Sequence, residues 1–242
     1  TSSWTTISAS VSGSVAVGLI GDQIYAWGFN TSGQVGDGTT INRSSPVQIS
    51  AKDIGPYSSP VQVGSLSNWS QIFSGNYHTV AIKTDGTLWA WGRNNQGQLA
   101  EAPAASRSSP IQVGSDTTWA QVSMGDSSTR AIKTDGTLWV WGSGQDGQLG
   151  LGNVTSYSSP KQVGSLTNWL FVSAGMYCTF AIKTNGTLWS WGRNNFGQLG
   201  LGNTTYYSSP KQVGALTTWS RVQGGYGMTL ALKTDGTMWA WG

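Results

Sequence analysis

His78 and Cys178 are the only residues of their kinds in the chain. A thiol and an imidazole can form a nucleophile and its base, the imidazole taking the thiol proton. Their places argue against that role. His78, Ser128, Cys178 and Met228 follow one another at intervals of fifty residues. One position of a repeated unit is thus filled by four residue types, with Ser14 as its counterpart near the start. Two intervals separate His78 from Cys178, which disfavours a direct hydrogen bond. Asp85, Asp135 and Asp235 each stand before a glycine, Glu101 is the only glutamate, and Asp37, Asp53, Asp116, Asp126 and Asp146 are scattered. These compose no paired acid and base and no D-x-D calcium loop. Gly147–Gly152 follows a strand pattern and opens no helix, so it matches neither a phosphate loop nor a dinucleotide fingerprint. A single cysteine excludes an internal disulfide and a cysteine-based zinc site. No catalytic, cofactor-binding or metal-ligating residue is assigned, and no enzymatic activity is expected.

Composition narrows the remaining classes. Charged residues make up 10% of the chain, against roughly 25% in ordinary proteins. The net charge of +3 comes with no run of Lys or Arg, which argues against nucleic acid. No apolar stretch approaches the ~20 residues of a membrane-crossing helix. The 242 residues begin at Thr1, which reads as a processed chain or an excerpt of a longer one. Neutral polar solubility of this kind suggests an extracellular or virion-surface location, with the cytoplasm as the alternative.

The elements follow from self-similarity. Trp69, Trp119, Trp169 and Trp219 lie fifty residues apart, and so do Trp91, Trp141, Trp191 and Trp241. Within each unit an alternating apolar run such as Thr79–Lys83 is joined to Leu88–Trp91 through Asp85-Gly86. Two β-type runs joined by Asp-Gly predict a tight hairpin, because its turn needs positive φ. The Trp69–Ile72 run and the S-S-P-x-Q-V run bring the unit to four strands, and proline suits a strand start or edge. Four strands repeated radially describe a propeller blade. The expected fold is an all-β propeller over 1–242, with blade cores at about 1–28, 58–92, 108–142, 158–192 and 208–242. A local duplication at about 46–59 repeats Ser44–Ile49 as Ser58–Val63.

The stretch Leu188–Gly200 reads L-x-x-W-G-x-N-x-x-G-Q-L-G, with A-I-K-T before the hairpin turn and S-S-P-x-Q-V after it. This resembles the regulator of chromosome condensation repeat, over essentially the whole chain. The resemblance implies a seven-bladed propeller, so that five repeats would be part of a longer series. Five Trp-to-Trp-Gly cores stand against four linking segments, and the first core lacks a preceding S-S-P strand. A photoreceptor of the family senses light through a G-W-R-H-T motif; here the matching positions read G-N-Y-H-T from Gly75 and G-M-Y-C-T from Gly175. The tryptophans are accordingly assigned to packing between blades.

Binding is expected where the copies differ. The residue before S-S-P varies as Arg43, Tyr57, Arg107, Tyr157 and Tyr207, and the residue after W-G as Phe29, Arg93, Ser143 and Arg193. With Lys52 and Asp53 of the insertion and Tyr206, these give the candidate partner-binding set: Arg43, Lys52, Asp53, Tyr57, Arg93, Arg107, Tyr157, Arg193, Tyr206 and Tyr207. Tyr and Arg are the residue types that anchor interfaces. The leading expectation is a non-enzymatic structural or binding module on a virion or cell surface, with a protein or surface component as partner. Assembly as a homo-oligomer or within a particle is compatible with it. The alternatives, implied by the resemblance, are nucleotide exchange on a small GTPase and inhibition of an extracellular enzyme.

Overall fold

The computed structural model describes residues 4, 6–9, 15–21, 23–48, 68–102 and 105–242. The insertion residues Lys52, Asp53 and Tyr57 lie outside them. Among the described residues every regular element is a strand. β1 (Thr6–Ala9), β2 (Val15–Ile20), β3 (Gln23–Gly28) and β4 (Arg43–Gln48) form the first antiparallel sheet. β5 (Trp69–Ser74), β6 (His78–Lys83), β7 (Leu88–Gly92) and β8 (Arg107–Gln112) form the second. The third holds β9 (Trp119–Met124), β10 (Ser128–Lys133), β11 (Leu138–Gly142) and β12 (Tyr157–Gln162). The fourth holds β13 (Trp169–Ala174), β14 (Cys178–Lys183), β15 (Leu188–Gly192) and β16 (Tyr207–Gln212). The fifth has three strands, β17 (Trp219–Gly224), β18 (Thr229–Lys233) and β19 (Met238–Trp241). The chain divides into two compact units, Thr1–Trp119 and Ala120–Gly242.

Hydrogen bonding places the S-S-P strand differently from the sequence expectation. It closes the sheet that precedes it: Gly92 faces Arg107, Gly142 faces Tyr157 and Gly192 faces Tyr207. The first sheet therefore has its S-S-P strand in β4, where Gly28 faces Arg43. The ladder shifts register at each of these glycines, which take φ near +100°. At Gly192 an added Cβ would lie 2.7 Å from the Tyr177 carbonyl oxygen and 2.8 Å from Cys178 Cα, so Trp-Gly can close the third strand where Trp-Ala could not.

The Gly-Gln-Leu-Gly segment, expected to serve tight turns, also fastens one sheet to the next within each unit. In the second unit the Gln148 carbonyl accepts hydrogen bonds from Thr179 Oγ1 at 2.7 Å and Trp191 Nε1 at 3.0 Å. The Gln198 carbonyl likewise accepts from Thr229 Oγ1 and Trp241 Nε1, both at 2.8 Å. In the first unit Thr79 Oγ1 donates to the Gln34 carbonyl at 2.7 Å. Around these latches the core fills. Val140, Leu149 and Val163 meet Trp169, Val172 and Trp191, and Ile182, Leu188 and Leu199 meet Trp219 and Val222. Leu19, Ile24 and Ala26 of the first sheet meet Trp69, Ile72 and Trp91 of the second. The repeated tryptophans thus pack between sheets, as expected.

Some positions of the fifth and first sheets lack that covering. Leu230, Leu232 and Met238 are exposed, whereas Phe180, Ile182 and Leu188 at the same positions of the fourth sheet are fully buried. On the first sheet Ile7 is exposed, whereas Ile72, Val172 and Val222 are buried.

The turns joining β6 to β7, β10 to β11, β14 to β15 and β18 to β19 are each fixed by one oxygen. Asp135 Oδ1 accepts from the Thr137 N–H and hydroxyl, and that hydroxyl accepts from Trp139 Nε1 at 2.8 Å. Asp85 and Asp235 repeat this. The hydroxyl bond, then the N–H bond, hold these carboxyls below their ordinary range. A depressed folded-state value adds stability at neutral pH that is lost as pH falls through it. Asn185 makes the same two bonds with no charge. Replacing Asp85, Asp135 and Asp235 together by Asn is expected to leave neutral-pH stability little changed and to flatten its decline below about pH 4. Denaturant titrations over a pH series would show this.

Candidate partner-binding face

The loops leading into the second strand of each sheet are bound to one another through the backbone in the second unit. The Asp126 N–H donates to the Met176 carbonyl and the Met176 N–H to the Gly225 carbonyl, both at 3.1 Å. Gly125 and Gly175 permit this approach; a Cβ at Gly125 would lie 2.8 Å from the Gly175 carbonyl oxygen. The loop after each third strand lies alongside, because the Arg193 N–H donates to the Tyr177 carbonyl at 3.0 Å.

This frame gathers a continuous run of rings around one cation. Phe196 packs on Tyr226 with centroids 5.8 Å apart, and Tyr226 on Tyr177 at 6.3 Å. The Arg193 guanidinium lies over the Tyr177 ring, 5.1 Å from its centroid. Its Nε donates to Tyr206 Oη and Asn195 Oδ1, each at 3.2 Å. Phe196, Tyr206 and Tyr226 are 49%, 44% and 53% exposed, although Phe196 and Tyr226 pack on each other and Tyr206 is bound to Arg193. Burial pushes the nearby Asp146 carboxyl up, against the pull of Arg193. Burial also raises the Tyr177 phenol, with Asp126 adding to the effect. In the first unit Arg93 repeats the stack, lying 4.9 Å from the Tyr77 centroid.

The candidate residues separate clearly. Arg193 and Tyr206 come together in this cluster, and Arg93 occupies the equivalent place in its own unit. Arg43 is buried and paired with Asp37, and its Nε donates to Asp37 Oδ2 at 2.6 Å. It is committed to the fold rather than presented to a partner. Arg107 forms a two-pronged pair with Glu101 at 2.6 and 2.9 Å. Tyr157 and Tyr207 are half-buried against the core, and their hydroxyls accept from Asn153 and Asn203 at 3.2 Å. Sequence reasoning missed Tyr177, Phe196 and Tyr226. The signal was available, since position 226 is Asn76, Asp126 and Met176 in the other copies, and position 196 is Gln96 and Asp146.

The two residues that suggested catalysis are interior. His78 and Cys178 are fully buried on separate sheets. Burial pushes the Cys178 thiol up to about 12, despite the neighbouring Arg130. Arg130 is also fully buried and pushed down to about 10 by burial, its donors turned to Ser128, Thr179, Gln148 and Cys178 oxygens. The thiolate is the reactive form. Labelling by a thiol reagent at pH 8 is therefore expected to run at least about 100-fold slower in the folded chain than in denaturant; comparable rates would contradict this burial. Among the described residues no three His, Cys, Asp or Glu side chains are grouped to hold a metal ion.

Known proteins match this geometry. The model for the regulator of chromosome condensation (RCC1) repeat matches residues 22–82, 85–132, 135–182 and 185–232. The ultraviolet-B receptor UVR8 of Arabidopsis thaliana is 32% identical over 85 residues, covering 35% of this chain and 17% of the receptor. The X-linked retinitis pigmentosa GTPase regulator homolog of Caenorhabditis elegans is 31% identical over 75 residues, covering 31% of this chain and 4% of that protein. Human WBSCR16 superposes with a TM-score of 0.79 at 20% identity, over 99% of this chain and 61% of its own. Prp20p of Saccharomyces cerevisiae, described with its binding properties to Gsp1p and histones, gives 0.77 at 18% identity, over 95% and 56%. A second yeast structure shows Kap60 bound to RCC1 (Prp20), with a TM-score of 0.79 at 20% identity over 98% of this chain and 55% of that one. The chain thus spans little more than half the length of these solved structures and less than a fifth of the two sequence relatives. Family-model matches across four successive repeats, together with sheets that follow the same fold, make this chain a member of the regulator of chromosome condensation repeat family.

Proposed function

We propose that the chain is a protein-binding module of a regulatory kind, which works through the face built by Tyr177, Arg193, Phe196, Tyr206 and Tyr226. The observation that carries this reading is the run of half-exposed rings clustered around an arginine, on a scaffold whose core tryptophans such as Trp91, Trp141 and Trp191 are fully buried. The similar proteins support the class. Prp20p is described with Gsp1p and histones, its complex with Kap60 is known, and a nematode relative is named a GTPase regulator homolog. A small GTPase is therefore the first partner to test, with acceleration of nucleotide release as the activity. Display on a virion or cell surface, the leading sequence expectation, draws no support from these proteins. A cytoplasmic location accompanies the regulatory reading.

The test is binding and nucleotide release across a panel of small GTPases. Binding of at least one member is expected, together with its loss on joint replacement of Phe196 and Tyr226 by Ala. Silence across the panel would end the GTPase reading. Binding untouched by that double replacement would move the site elsewhere.

The number of blades is part of the same proposal. We infer further repeats of this kind, as in a seven-bladed propeller, because the exposed Leu230, Leu232 and Met238 occupy positions that a following sheet buries elsewhere in the chain. Fusing two additional repeats after Gly242 is expected to raise the unfolding temperature. No change would count against continuation.

A further inference from the structure

Arg193 has five N–H donors, and the fold uses one of them. Nε is spent on Tyr206 and Asn195. The two terminal amino groups donate no hydrogen bond to any described residue. The guanidinium plane is held from one side by the Tyr177 ring and at its edge by the Tyr206 hydroxyl. A fork fixed in this way has already lost much of the rotamer freedom that an arginine gives up on binding. Its geometry matches the two oxygens of a carboxylate. Asp146 is close enough to act on Arg193 electrostatically but makes no ion pair with it. Its negative charge, with that of Asp126 nearby, disfavours a densely acidic partner.

The surroundings of the fork set the rest of the specificity. Phe196 and Tyr226 offer exposed ring surface on one flank. Gly227 leaves space for the Phe196 ring, because a Cβ there would lie 2.8 Å from Phe196 Cδ2. In the third copy the residues matching Tyr177 and Arg193 are Ser127 and Ser143, so the fork is absent there. Arg93 on Tyr77 repeats the stack in the first unit, and its side chain also donates no hydrogen bond to a described residue.

We infer that this face recognises a protein segment presenting a single Asp or Glu side chain beside an apolar or aromatic one, with the carboxylate taken by the Arg193 fork and the apolar group by Phe196 and Tyr226. The inference rests on the reading of the chain as a protein-binding module and specifies the chemistry of its partner. A phosphate ester would satisfy the same fork, but the two acidic neighbours favour the lower charge of a carboxylate.

The probe is a displayed library of random linear peptides, selected against the full chain. Enriched sequences are expected to carry one Asp or Glu next to Phe, Tyr, Trp or Leu. Arg193→Lys keeps the charge and removes the fork, and it is expected to weaken the selected peptides by at least about 10-fold. The same peptides with Asn or Gln in place of the acid should lose a similar factor. If the peptides lose affinity on joint Phe196→Ala and Tyr226→Ala replacement but not on Arg193→Lys, the face is right and the carboxylate inference is overturned. Indifference to all three replacements would overturn the face as well. Enrichment of basic peptides, or tighter binding of phosphoserine versions, would also overturn the inference. Unchanged thermal unfolding of the variants would show that any loss is local.

Discussion

Trp191→Ala is expected to lower folding stability by about 3–5 kcal/mol, and Trp191→Phe by clearly less. The indole is fully buried and belongs to the cluster that joins the third and fourth sheets. Its N–H closes the latch to the Gln148 carbonyl at 3.0 Å. Gly150 lies under the ring, where a Cβ would stand 2.6 Å from Trp191 Nε1. Truncation therefore opens a cavity between sheets and leaves one acceptor bond unmade, while Phe refills most of the volume and loses only the bond. A domain of this size is stable by about 5–15 kcal/mol, so the alanine variant should lose a large share of the total. The denaturant midpoint measures this. A midpoint shift equivalent to less than about 1 kcal/mol would show that the sheets are not held together at this position.

The second large effect is expected at the buried ion pair of the first linking segment. Asp37→Ala should cost about 3–5 kcal/mol, because it leaves the Arg43 guanidinium buried without its counter-charge. Asp37 also accepts from the Thr39 N–H and hydroxyl and from Asn30 Nδ2. Glu101 and Arg107 stand at the same positions in the next copy, but their side chains are 39% and 42% exposed. Glu101→Ala should therefore cost about 0–1 kcal/mol. The last two segments carry an apolar pair at these positions, Leu151 with Tyr157 and Leu201 with Tyr207, packed against the core. Changing Asp37 to Leu and Arg43 to Tyr together is expected to recover most of what the single change loses. Equal losses in the single and double variants would mean that the two positions act independently.

These pairs show how far the sequence could be read. The hairpins were legible at Asp85-Gly86 and its counterparts because few residues tolerate positive φ, and the fifty-residue spacing of the tryptophans showed where sheets meet. What a period cannot supply is its phase. Nothing local in S-S-P-x-Q-V says whether it opens one sheet or closes another; the ladder from Gly192 to Tyr207 decides that. The candidate site was only half legible for a related reason. Variation between copies has two sources, exposure to a partner and compensation within the fold. Arg43 and Arg107 vary to Tyr because their neighbours Asp37 and Glu101 vary to Leu, which is compensation. Arg193 and Tyr206 sit in the exposed cluster. Separating the two requires knowing that residues six apart touch, as Asp37 and Arg43 do.

The closing strands of the third and fourth sheets are the same six residues, Tyr-Ser-Ser-Pro-Lys-Gln. Their partners β11 and β15 receive them in the same register, Gly142 against Tyr157 and Gly192 against Tyr207. Neither closing strand therefore carries, in its own residues or register, a preference for one sheet over the other. On the ribosome the ambiguity does not arise, because Tyr157–Gln162 emerges and can dock before Tyr207–Gln212 exists. A chain diluted from denaturant meets both at once, so that an exchanged pairing competes with the correct one. The direction of synthesis is thus part of the information that selects this fold.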